Sequence, residues 1–277
     1  MVQLQGRFPA DCTQRQPLQL MERNRQAQAQ LRWVWTELGG QWSGRVREAQ
    51  RGEFAYEAAG TAAASRPASA PVAGSASAAL GQPTRLLARR EARPWGEWLR
   101  PLNKTSDNVA TRVLYLLTGL EEERRAVQAG AALPPRSTRE WAELSVRRWF
   151  EQQGIPTEGL VMDNGSGLSR SERITPRQLA MVLRAANTQL HASELLMSLP
   201  IAGVDGSLRN RMTDTPARAR ARLKPGTLRN AVALAGYVED AQGRRWVMAA
   251  IINHDEAPRR GRPVLDAVAD WVAAGQP

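Results

Sequence analysis

Three short β-rich segments fill the last third of the chain and limit the folds open to it. They are Arg222–Arg229, Ala231–Glu239 and Arg244–Asn253, separated by turn residues such as Asp240-Ala241-Gln242-Gly243. Short strands joined by tight turns pair with their sequence neighbours, so the spacing predicts an antiparallel meander. What precedes them is patterned for helix. Residues 17–38 set Leu18, Leu20, Met21, Leu31, Val34 and Leu38 among polar residues and close on Gly39-Gly40, a helix with a glycine stop. A short extended piece is expected at Trp42–Ala49. Another helical run passes through Val113, Leu114, Leu116 and Leu117 to Gly119. Trp141–Gly154 carries Trp141, Leu144, Val146, Trp149 and Phe150 as the apolar set of an amphipathic helix. Thr175-Pro176 supplies an N-cap followed by proline at the first helical position, opening a helix to about Ala186. Pro263–Ala274 reads as a closing amphipathic helix. Helices, then strands, then a helix predict an α/β fold: an antiparallel sheet with helices on its faces, plus a helical region.

With 277 residues, 42% of them hydrophobic, the chain can build one large core or two modest ones. Residues 57–83 are Ala, Ser, Gly and Pro with almost no large apolar side chains, and read as a flexible insertion outside the core. No apolar run reaches the ~18 residues of a membrane span. The first residues, Met1 to Phe8, hold no apolar signal-peptide core. The lone Cys12 gives no disulfide framework and no metal site.

The formal charge of +11 would suit an anionic partner such as nucleic acid, acidic lipid or an anionic wall polymer. Yet the arginines are scattered, aromatic residues make up only 5%, and no nucleic-acid motif is present. The charge therefore reads as a solvated, arginine-rich surface. Only two of the 38 basic residues are lysines, Lys104 and Lys224. Arginine stays protonated, whereas a lysine can lose its proton, so both positions stand out as candidates for chemistry.

Around those two lysines lie fragments of a known logic. Serine enzymes that react with penicillin use Ser-x-x-Lys, Ser-x-Asn and Lys-Thr-Gly motifs. A serine hydroxyl needs a neighbouring base before it attacks, and a desolvated lysine can be that base. A second serine with an asparagine relays protons and holds the substrate amide. A strand lysine attracts the substrate carboxylate, and strand N–H groups stabilise the oxyanion. Ser106-Asp107-Asn108 matches the second motif, with Lys104 just upstream, and Lys224-Pro225-Gly226-Thr227 approximates the third. Taken singly, the first is a helix N-cap and the second a turn. Their order, their separation and the change from helix to strand between them point to one site. His191 and His254 are the only histidines, and no Gly-x-Ser-x-Gly elbow is present. Asp163-Asn164-Gly165 and Asp205-Gly206 read as turns that shape the cleft rim.

Leu102-Asn103-Lys104-Thr105-Ser106-Asp107-Asn108 resembles the Ser-Asp-Asn block of the class C low-molecular-mass penicillin-binding proteins, serine-type D-alanyl-D-alanine carboxypeptidases/endopeptidases. Asp163-Asn164-Gly165-Ser166-Gly167-Leu168-Ser169-Arg170 and Leu199–Leu208 resemble two further blocks of that family. Leu223–Leu228 with Ala235-Gly236-Tyr237 resembles its Lys-Thr-Gly strand and the strand after it. The resemblance spans nearly the whole chain except the Ala/Ser insertion and is faintest before residue 50. It implies a β-lactamase/transpeptidase-like fold, incomplete at the N-terminus, with residues 1–13 as the tail of an inserted domain and 14–277 as the C-terminal portion. It also implies a hydrolase acting on peptidoglycan stem peptides and reacting with β-lactams in the periplasm. Ser106, Asn108 and Lys224 would be catalytic, and Gly226, Thr227 and Lys104 would contact substrate. No metal, organic cofactor or nucleic acid is implied.

The sequence departs from that pattern twice. No serine has a lysine three residues on, so the nucleophile is expected outside this sequence, and beside Ser106 and Lys224 a gap or an exposed apolar surface should mark where its helix would pack. Pro225 replaces the threonine of Lys-Thr-Gly, removing a hydroxyl and a backbone N–H; the hydroxyl of Thr227 could compensate in part. Proline on a strand is tolerated at a sheet edge. Three rival readings fit the same residues: an inactive member of the family, a related esterase, and a basic polyanion-binding module.

Overall fold

The computed structural model describes residues 21–47, 93–130 and 136–275. The tail assigned to residues 1–13, Cys12 and the insertion at 57–83 lie outside the described residues. The chain divides into two units, Met1–Arg90 and Glu91–Pro277. The first contains α1 (Arg23–Glu37), which starts where the Glu22 carboxylate accepts the N–H groups of Asn24 and Arg25. It stops at Gly39, whose φ of 80° breaks the helix as the glycine pair predicts. No strand forms at 41–47. Instead Trp35 Nε1 and Arg32 donate to the carbonyls of Gln41 and Trp42, folding that segment back along α1.

The second unit holds α2 (Trp95–Thr105), α3 (Asn108–Gln128), α4 (Thr138–Gln152), α5 (Pro176–Ala186) and α6 (Ala192–Ser198). Three strands follow, β1 (Ala221–Leu228), β2 (Ala231–Glu239) and β3 (Arg245–Asn253), and then α7 (Arg262–Ala273). Local chemistry explains the helix starts. Ser137 and Glu140 form a capping box on α4, and Thr175 and Gln178 form one on α5, with Pro176 at its first position. Gln178 is buried because its amide also donates to the carbonyls of Pro156 and Glu158, leaving neither end unpaired.

The strands pair antiparallel in the order β1-β2-β3, the predicted meander. β2 lies in the middle, and its side chains alternate between two cores. Val232, Leu234 and Val238 join Leu223, Met248, Leu265, Ala269 and Val272, so this face packs on α7. Ala235 and Tyr237 join Leu183 and Leu199, with Leu179 beside them, so the opposite face packs on α5. Buried Tyr237 satisfies its hydroxyl by donating to the Leu183 carbonyl at 2.7 Å. A third cluster, Phe150, Ile155 and Leu160, fixes the end of α4.

Helix ends differ from the sequence reading: α1 begins at Arg23 within the expected 17–38, α4 begins at Thr138 ahead of Trp141, and α3 differs most. α3 does not stop at Gly119 but runs on to Gln128. The glycine is there for packing: a Cβ at 119 would strike Thr138 O and lie 2.7 Å from Ala142 N, so its absence lets α4 lie directly on α3. Near this contact, buried Glu122 meets the Arg148 guanidinium at 2.5 Å, neutralising a carboxylate that burial would otherwise penalise. Gly119→Ala should gain up to about 1 kcal/mol of helix propensity but lose about 1–3 kcal/mol through overpacking against unyielding backbone. A Tm several degrees lower is expected, and an unchanged or higher Tm would show that α4 can shift away.

The β2–β3 turn has its own anchor. Asp240 is buried, and its carboxylate accepts the N–H groups of Gln242 and Arg244, Trp246 Nε1 and the Arg244 guanidinium. Burial pushes the carboxyl pKa up, but these four bonds outweigh it and bring it from 3.8 down to about 2. Ionised Asp240 therefore supports the hairpin above pH 4, and that support is lost as the pH falls through about 2. Asp240→Asn should melt below the parent at pH 7, with the gap closing as thermal melts are repeated toward pH 2.

Candidate active site

The corner between α2 and α3 carries the first half of the site. The N–H groups of Ser106 and Asp107 both return to the Leu102 carbonyl, ending α2. Ser106 lies in the left-handed region at φ 58°, unusual for a residue with a Cβ. Asp107 then caps α3 by accepting the Ala110 N–H at 2.9 Å. The Ser-Asp-Asn tripeptide is thus an N-cap, as its local chemistry suggests, and the turn also projects the Ser106 hydroxyl between the helices.

The second half comes from β1, an edge strand paired only with β2. Lys224 stands on it opposite Ala235. Its ammonium donates to Ser106 Oγ at 2.7 Å, across 118 positions of sequence, and to the Pro225 carbonyl at 3.2 Å. Burial lowers the Lys224 pKa, because desolvation disfavours its charged form. Asn108 opens α3 two residues after Ser106, and its side-chain amide donates to the Ser166 carbonyl at 2.6 Å. Ser166 belongs to the Asp163–Arg170 block. That loop is held by Glu172, whose carboxylate accepts the N–H groups of Asn164 and Gly165, and by the paired backbones of Val161 and Arg173. The fold therefore brings Lys224 to Ser106 and ties the 163–170 loop to Asn108, two residues further along.

The remaining sequence candidates are placed differently. Gly226 pairs with Ala233 on β1, and Thr227 with Val232. The Thr227 hydroxyl accepts from the Arg262 guanidinium at 3.3 Å. Lys104 turns away from Ser106: its ammonium donates to the Leu199 carbonyl at 2.6 Å and to the Asp205 carboxylate at 2.7 Å. Its ammonium is thus engaged in holding the fold rather than open to substrate. Glu172 and Arg262 escaped the sequence reading and Asp205 was read only as a turn residue, because a loop carboxylate and one arginine among many carry no local mark of these contacts.

The outer edge of β1 is half occupied. Leu223 N–H donates to the Pro200 carbonyl and Ala202 N–H to the Ala221 carbonyl, both at 2.9 Å. In an antiparallel ladder, outward N–H groups recur at every second residue. The next outward positions are therefore 225 and 227. Pro225 has no N–H, so among the described residues Thr227 offers the first outward donor beside Lys224 with no backbone partner. An edge strand is also where proline is tolerated. On α3, Val109, Val113, Leu117 and Leu120 form a helical stripe, all exposed, leading away from Asn108.

The chain is similar in sequence and fold to known proteins. The profile of the D-Ala-D-Ala carboxypeptidase 3 (S13) family matches residues 72–274. The carboxypeptidase DacB of Mycolicibacterium smegmatis is 36% identical over 189 residues, covering 66% of this chain and 38% of that protein. The D-alanyl-D-alanine carboxypeptidase of Actinomadura sp. R39 is 31% identical over 193 residues, covering 68% of this chain and 34% of that protein. The crystal structure of penicillin binding protein 4 (dacB) from Haemophilus influenzae shares the fold, with a TM-score of 0.54 at 23% identity over 65% of this chain and 39% of that one. The chain thus spans little more than a third of the length of the relatives it matches. By the extent of the profile match, this chain belongs to the D-Ala-D-Ala carboxypeptidase 3 (S13) family.

Proposed function

We propose that this chain supplies the substrate-binding and proton-relay half of a periplasmic serine D-Ala-D-Ala carboxypeptidase/endopeptidase site that acts on peptidoglycan stem peptides and is acylated by β-lactams. The observation that carries this reading is the 2.7 Å bond from the Lys224 ammonium to Ser106 Oγ. Because Lys224 donates to that oxygen, the serine's own proton is free to point elsewhere. Ser106 can therefore hand a proton to the leaving amine and be re-protonated through Lys224. The same ammonium provides positive charge for the terminal carboxylate of a stem peptide. The outward N–H of Thr227 suits a developing oxyanion. Asn108, held by Ser166, suits the substrate amide. A nucleophilic serine with its own lysine completes the reaction: it forms the acyl-enzyme as D-Ala leaves, and water then hydrolyses the ester. No serine in this sequence has a lysine three residues on, so that group belongs to an element outside it. The exposed stripe Val109–Leu120 beside Ser106 is apolar surface of the kind such an element would cover. No helix among the described residues is long and apolar enough to cross a membrane.

A second reading rests on the same bond: Lys224, deprotonated, could activate Ser106 itself as nucleophile. Labelled penicillin separates the two. Under the relay reading this chain forms no covalent, saturable adduct. An adduct mapped to Ser106 would overturn the relay and make that serine the nucleophile.

A polypeptide joining this sequence to a segment bearing Ser-x-x-Lys should turn over a D-Ala-D-Ala peptide. In it, Ser106→Ala and Lys224→Ala should each cut kcat/KM by roughly 10²–10⁴-fold with the Tm nearly unchanged. Turnover that survives both substitutions would sink the proposal.

A further inference from the structure

Lys104 lies two residues before Ser106 yet contributes nothing directly to the pair at the site. Its ammonium is 12% exposed in side-chain terms and reaches three oxygens: Leu199 O at 2.6 Å and both carboxylate oxygens of Asp205 at 2.7 Å. Asp205 Oδ1 also accepts the Ile201 N–H at 2.8 Å. One residue earlier, the Asn103 amide donates to buried Ser198 at 2.7 Å. The last turn of α2 is therefore fastened to segment 198–205 through side chains. Gly206 makes room for the contact: its φ is 58°, and a Cβ there would lie 3.1 Å from the Lys104 carbonyl.

The same segment fixes β1. Pro200 accepts from Leu223, Ala202 bonds with Ala219 and Ala221, and Ile201 stands opposite Arg222. Lys224 is the next residue along the strand. A closed circuit results: Ser106 to the end of α2, Lys104 to Asp205, segment 198–205 to β1, and Lys224 back to Ser106. Ser106 depends on such a frame, because a left-handed serine costs about 1 kcal/mol or more and persists where its surroundings over-determine it.

We propose that Lys104 and Asp205 are positioning residues, whose ion pair locks the α2–α3 corner to the segment that registers β1 and so sets the Ser106–Lys224 contact. The inference takes its importance from the relay function proposed above, but the contact itself can be tested without substrate. The chemistry also accounts for lysine at 104 in a chain that otherwise prefers arginine. Three acceptors converge on one nitrogen, which suits an ammonium. A flat guanidinium spreads its donors over a wider fork.

The chain's two lysines make the experiment direct. With ¹⁵N-lysine labelling, the side-chain ammonium spectrum contains two signals, and Lys104→Met assigns them by removing one. In the unaltered chain both ammonium groups should be protected from solvent exchange. Asp205→Asn, which leaves Lys224 and Ser106 untouched, should shift the Lys224 signal and speed its exchange about ten-fold, the factor for one hydrogen bond. Lys104→Met should do the same to the one signal left, and it answers the question if Asp205→Asn fails to fold. Asp266→Asn breaks the Arg211–Asp266 ion pair elsewhere in the unit and controls for general loosening; it should leave Lys224 unmoved. A protected Lys224 signal that ignores Asp205→Asn and Lys104→Met, or that responds equally to Asp266→Asn, overturns the positioning role and leaves the relay untouched. A Lys224 ammonium that exchanges freely in the unaltered chain overturns both.

Discussion

A strand that presents an ammonium to a helix corner 118 positions away can do so only if its register is fixed on both sides. β1 meets this constraint unevenly. On its inner side, β2 holds it from Ala221 to Leu228. On its outer side, the Pro200–Ala202 segment holds only the first few residues, up to Leu223. Beyond that point no backbone among the described residues pairs with the outer edge, and Lys224 and Thr227 sit in that part. One segment therefore covers the edge where covering gives stability and leaves it bare where a substrate backbone could approach.

The placement of β1 follows from the core beneath it. Leu223 and Ala221 are fully buried and point into the cluster shared by β2 and α7, so the neighbouring residues of the strand must face away from it. Lys224 falls on the alternate side for that reason. Its stem passes through a partly dry environment, which lowers its pKa without removing its hydrogen-bond partner. A buried charge is tolerable only when partnered, and Ser106 with the Pro225 carbonyl supplies the partners.

Charge elsewhere is managed locally. Glu122 meets Arg148, Asp240 gathers four donors, and Asp205 takes the second lysine. In Asp205, burial pushes the carboxyl pKa up, while the bonds from Lys104 and Ile201 outweigh it and leave it below the usual range. The net +11 thus says little about a partner; several of the acidic groups are tied into the fold, and no arginine among the described residues is buried.

Much of the fold was readable before any coordinates. The three strands, their antiparallel order and the starts of α5 and α7 follow from turn residues, caps and apolar spacing, because these are local interactions; the Ser137 cap that starts α4 ahead of Trp141 went unread. The candidates Ser106, Asn108 and Lys224 could be named from motifs whose residue types carry chemistry, and the structure joins Ser106 to Lys224. Position alone could not say what each would touch. Gly119 looked like a helix stop, but its role belongs to the close approach of α4. Lys104 looked like a substrate contact, but its ammonium finds Asp205, 101 positions away. Trp42–Ala49 looked extended, but over its described part, to residue 47, side chains of α1 reach its carbonyls and fold it back. In each case the deciding contact joins elements whose approach is set by packing, and packing distances between such elements leave no periodic trace in the sequence.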